Sequence, residues 1–135
     1  MKSLVVLRVV AVAQAVAVCL QPVLAGAYLN GSGGAMRMHE PIGLALVFLC
    51  LAQLLVATIY WRSGGRGLAV VVTLALLVAE GLQVSMGYSR QLALHIPLGI
   101  TIVGIVCAFA VWTCRPGARV RRTAKGSAET VEVPA

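Results

Sequence analysis

The segments His39-Glu40-Pro41-Ile42-Gly43 and His95-Ile96-Pro97-Leu98-Gly99 both read H-x-P-(Ile or Leu)-G, and they hold the only two histidines of the chain. Helical residues four apart share a face, so Gly43 and Gly99 each lie one turn below an imidazole. That spacing leaves room for a flat group beneath each ring. Imidazole nitrogen is an axial ligand of haem iron, and two of them make a six-coordinate electron-transfer centre. Arg37 and Arg90, just before the histidines, suit the carboxylates of a haem. A plainer reading fits the same residues. Proline is favoured in a first helical turn and glycine lets membrane helices approach, so the motif would be a duplicated helix start. That reading gives no reason for a histidine in both copies.

Other polar residues stand where ionisable groups are costly and mark function by default. Glu80 lies inside an apolar run, on one helical face with Thr73, Gln83 and Gly87. Gln14, Gln21 and Tyr28 recur every seven residues in an earlier run, and Gln53 stands in a third. These stripes are expected to turn inward, because lipid leaves polar groups unsatisfied. Glu80 could relay protons, hydrogen-bond His95 and set its ring orientation, or simply share hydrogen bonds with glutamine side chains. Cys19, Cys50, Cys107 and Cys114 form no C-x-x-C, so neither a thiol-redox nor a zinc site is signalled, and no disulfide is expected. There is no phosphate-binding glycine loop, no G-x-S-x-G and no H-E-x-x-H.

The elements that position these residues are membrane helices. The 135 residues are 60% hydrophobic and 11% charged, with no Asp and a net charge of +7. A soluble domain carries about a quarter charged residues, so a soluble enzyme, a nucleic-acid-binding domain and a disordered protein are excluded. Apolar runs at 9–29, 41–61, 67–89 and 92–114 each meet the need for about 20 residues to cross a hydrocarbon core of roughly 30 Å. They lack period-2 alternation and must be helices. Lys2, Arg8, Arg62, Arg66, Arg115, Arg119, Arg121, Arg122 and Lys125 fall on one side, and only Arg37 and Arg90 on the other. The positive-inside rule therefore predicts both termini in the cytoplasm of a cell-membrane protein. Tyr28 and Tyr88 would mark the outer boundary, and Tyr60, Trp61 and Trp112 the inner one. Residues 1–25 also resemble a signal peptide, but the apolar stretch is long and the repeat described next needs this helix.

That repeat extends upstream of the histidine motifs. Leu20-Gln21 followed by Gly26 and Tyr28 is echoed by Leu82-Gln83 followed by Gly87-Tyr88, with a longer, flexible first outer loop around Asn30-Gly31-Ser32-Gly33-Gly34. The expected fold is all-α: an up-and-down four-helix transmembrane bundle over residues 1–117, built from two repeated hairpins, then a basic and finally disordered cytoplasmic tail at 118–135. The second and fourth helices then lie diagonally across the core, and their histidines face each other near the outer surface.

This architecture resembles the duplicated haem-binding bundles of one half of a haem A synthase and, more loosely, of b-type membrane cytochromes. The likeness covers four helices but rests on His39 and His95 alone. It implies one haem b between the second and fourth helices, for electron transfer or sensing. A second histidine pair is lacking, which excludes a two-haem arrangement. The chain also resembles small four-span proteins of high-GC bacteria, in keeping with nine Arg to two Lys. The alternative is a non-catalytic scaffold or accessory subunit without a cofactor. Expected partners are the bilayer, with anionic lipid at the basic tail, and other membrane proteins. Nucleic acid is not expected.

Overall fold

A computed structural model describes residues 2–119; Met1 and residues 120–135, including most of the expected tail, lie outside it. Four helices, α1 (Lys2–Leu29), α2 (Gly33–Arg62), α3 (Leu68–Tyr88) and α4 (Leu92–Cys114), are followed by a short 3-10 turn at Pro116–Arg119. All four are long and apolar enough to cross a membrane. The chain is a polytopic, all-helical membrane protein. Each helix packs on two neighbours, α1 on α2 and α4, and α3 on α2 and α4, so α2 and α4 are diagonal as expected.

The first two helices start earlier than the apolar runs. α1 begins at Lys2 and α2 at Gly33, so α2 includes Gly33-Gly34, Arg37, His39 and Pro41. Pro41 is the ninth residue of α2, and Pro97 the sixth of α4. The repeated motif is therefore not a helix start. Hydropathy detects only the hydrocarbon-length portion of a helix, and a helix that continues into the headgroup layer carries polar residues and glycine there.

The first outer loop is not longer either. Asn30-Gly31-Ser32 and Ser89-Arg90-Gln91 are both three-residue turns with one residue in the left-handed region, Gly31 at φ 93° and Arg90 at φ 56°. Each closes with the same backbone bond: Ser32 N–H donates to Ala27 O, and Gln91 N–H to Met86 O. Between the aligned glutamines and these turns, α1 holds three more residues than α3, and α2 three more than α4 before its histidine. The first hairpin thus stands about 4.5 Å taller at 1.5 Å per residue.

At the end carrying the chain termini the bundle is closed by Leu4, Leu7, Ala11, Ala57, Tyr60 and Phe109. Small residues let helix backbones approach, and van der Waals contact rather than hydrophobic burial holds membrane helices together. Polar ties complete this end. Arg8 donates from Nε and Nη2 to Thr113 O, at 3.2 and 3.0 Å. That carbonyl belongs to the last turn of α4, where no intrahelical donor remains. Tyr60 is fully buried and donates its hydroxyl to Ala118 O at 2.8 Å. It is a core residue rather than a boundary marker. Trp112 stacks on Phe109 with centroids 5.6 Å apart. A second cluster, including Val18, Leu46, Leu76 and Ile102, fills the middle of the bundle.

Candidate functional site

Beyond that second cluster the bundle is hollow. A cavity of about 580 Å³ lies among all four helices, and His39 and His95 are in its lining with Gln21, Gln83 and Glu80. Exposed Leu44, Ile96 and Ile100 also line it, so the cavity opens on the bundle's outer surface.

The histidines come together from diagonal helices. Their ring centroids are 6.3 Å apart with the planes tilted by 59°. His39 Nδ1 lies 3.2 Å from Gln21 O on α1, and His95 Nδ1 lies 2.9 Å from Gln83 O on α3. A carbonyl oxygen only accepts, so Nδ1 is the donor in both rings. With Nδ1 so engaged, a neutral imidazole would carry its lone pair on Nε2, the arrangement that prepares a histidine to bind a metal.

Gly43 and Gly99 line the cavity with the histidines, and each also faces a glutamine of the neighbouring helix. A Cβ on Gly99 would stand 2.7 Å from Gln83 Nε2, and one on Gly43 would stand 3.7 Å from Gln21 Oε1. The space beside each glycine is therefore taken by a glutamine side chain of the neighbouring helix. The missing side chain at Gly99 lets the Gln83 amide reach His95 O, to which Nε2 donates at 2.8 Å. Gly87 is also close to the ring, since its Cβ would stand 3.1 Å from His95 Cε1.

Glu80 is buried and accepts a 2.6 Å hydrogen bond from Gln14 Nε2 across the α1–α3 diagonal. Of the roles open to it, this is the one in which glutamine shares its hydrogen bonds; His95 turns instead to Gln83 O. Gln53, also buried, donates to Thr73 Oγ1 at 3.4 Å. The polar stripes do face inward except at Tyr28, which is exposed. Four glutamines and Glu80 still each keep one buried atom without a partner: Gln14 Oε1, Gln21 Nε2, Gln53 Oε1, Gln83 Oε1 and Glu80 Oε2. Three of these residues, Gln21, Gln83 and Glu80, line the cavity.

Arg37 and Arg90 do not belong to the cavity lining. At its mouth stand Glu40 and Tyr88, joined by a 2.7 Å hydrogen bond from the tyrosine hydroxyl. Two pairings had no sequence signal. Gln14 meets Glu80 from 66 residues away, and Cys19 and Cys107 bring free sulfurs within 3.7 Å from 88 residues away. No spacing rule links positions so distant; the packing of α1 on α4 joins the cysteines, and the α1–α3 diagonal across the core joins Gln14 to Glu80. Among the described residues no group of three His, Cys, Asp or Glu is placed to hold a metal ion. A site with two histidines suits a metal whose other ligands come from a macrocycle.

Compared with protein-family models, with curated proteins and with solved structures, the chain finds no match in any of the three.

Proposed function

We propose that this protein binds one b-type haem between His39 and His95 and serves in electron transfer or sensing within the cell membrane. The observation that carries the reading is the histidine pair itself. Two imidazoles from diagonal helices face one cavity, each with Nδ1 committed to a backbone carbonyl and Nε2 left free. Their separation suits a shared metal. Two metal–nitrogen bonds of about 2 Å, plus roughly 1 Å from each nitrogen to its ring centroid, put opposed centroids about 6 Å apart. The observed distance is 6.3 Å.

Bound haem would supply a one-electron iron couple. The chain's own residues do the rest. Gln21 O and Gln83 O orient the rings, and the apolar lining excludes water and lowers the local dielectric. Duplication of an ancestral hairpin accounts for the matching histidine–glutamine contacts in the two halves. The excess of Lys and Arg at the end with the termini supports a cytoplasmic location for both, with anionic lipid drawn to the basic tail.

Protein purified after haem-replete expression is expected to show a Soret band that shifts on reduction and is lost when both histidines are changed to Ala. A colourless protein overturns the reading. It would favour a cofactor-free scaffold, a reading supported by the hydrogen bond that each histidine already makes. In that case the double variant should fold and recover its membrane partners unchanged.

A further inference from the structure

The two histidines are not held alike, and the difference assigns them different roles. His95 is gripped on three counts. Its Nδ1 donates to Gln83 O at 2.9 Å, its own carbonyl accepts from Gln83 Nε2 at 2.8 Å, and Gly87 packs against its ring so closely that a Cβ would stand 3.1 Å from Cε1. The α3–α4 pair is thus latched in both directions by one glutamine.

His39 has only the first of these contacts, and a longer one, 3.2 Å to Gln21 O. The aligned glutamine returns nothing to α2. Gln21 Nε2 is buried without a partner, and a Cβ on Gly43 would only touch Gln21 Oε1, at 3.7 Å.

Resting on the haem reading, we infer that His95 is the permanent iron ligand and His39 an exchangeable one. A small uncharged ligand with a hydrogen-bond-accepting end takes the place of His39, and the Gln21 amide turns so that its buried Nε2 donates to it. A buried donor without a partner is costly unless an acceptor reaches it. A ligand lodged on the His39 side provides that acceptor. The site then senses a small ligand rather than only carrying electrons. Its response is the release of His39, which uncouples α2 from α4 across the cavity at the histidine end.

Carbon monoxide, added to the reduced full-length protein, is the probe. The wild-type Soret band is expected to shift on addition of the gas. His39→Ala should keep its haem and bind carbon monoxide without the lag of ligand exchange, whereas His95→Ala should lose haem. Gln21→Leu should still bind the gas, with the C–O stretch moved to higher frequency and several-fold faster dissociation, because the donated hydrogen bond is gone. An unchanged wild-type spectrum under carbon monoxide overturns the inference while leaving the haem reading intact. So does equal loss of haem from both histidine variants, or a Gln21→Leu stretch identical to wild type. Absence of colour in the wild type overturns the haem reading instead. The wild-type and Gln21→Leu measurements do not depend on either histidine variant folding.

Discussion

At the end carrying the chain termini, Leu7, Ala57, Tyr60 and Ala69 are wholly buried. At the histidine end the same four helices surround a cavity of about 580 Å³. The prolines divide in the same way. Pro22, Pro41 and Pro97, the three inside α1–α4, are all in the histidine half. Each lacks the N–H that would bond the carbonyl four residues back, which loosens the local helix. The packed end holds the bundle together, and the other end leaves the room that the proposed haem would fill. Regions that bind and move are drawn from the less stable parts of a fold.

Substitutions at the two ends put that contrast at risk. The largest effect is expected from Tyr60→Ala, which empties the packed end and should cost about 3–5 kcal/mol by thermal or denaturant unfolding in detergent, as for other buried aromatics. Val84→Ala, in the cavity lining, should cost less than about 1 kcal/mol, since truncation there enlarges an existing void. Equal losses would show that the histidine end is packed after all. Next is Gln14→Leu, which takes the partner from a buried Glu80 and should cost about 1–3 kcal/mol. Glu80→Gln retains an acceptor for Gln14 Nε2 and should cost clearly less in the same unfolding assay.

Within the histidine end the contrast is between hairpins. Gly99→Ala forces the Gln83 amide off His95 O and should cost about 1–2 kcal/mol, the size of a lost hydrogen bond plus a clash. Gly43→Ala makes only ordinary contact and should stay within about 0.5 kcal/mol. The smallest change belongs to Arg90, whose left-handed backbone strains a side chain that glycine would not have. Arg90→Gly should raise stability by up to about 1 kcal/mol in the same assay. A loss would show that the arginine side chain has a role its position outside the cavity lining does not reveal.

Much of the bundle was legible in order of residues alone. Four apolar runs gave four helices, and short connections gave neighbours in sequence the role of neighbours in space. The diagonal placement of His39 and His95 followed. The starts of α1 and α2 were misplaced because apolar length reports the hydrocarbon core and not the helix. The contact at Gly99 was not legible for another reason: spacing along α4 shows which residues lie beneath His95, but not that Gln83 of α3 takes part of that space. Tyr60 read as a boundary aromatic because aromatic residues near helix ends often are. Its burial came from Gly65 of the α2–α3 connection lying against its ring and from the 3-10 turn that takes its hydroxyl.

The sequence by itself determined the solvent, the helix count and the pairing of two histidines across the core. Those follow from composition and period, which act along one helix at a time. Only the tertiary structure decided which polar atoms meet. It sent Gln14 rather than His95 to Glu80, latched His95 with Gln83 in both directions, and left Gln21 Nε2 without a partner. Hydrogen bonds form over about 3 Å, and such distances between helices are set by how side chains interlock, which no pattern within a single helix contains.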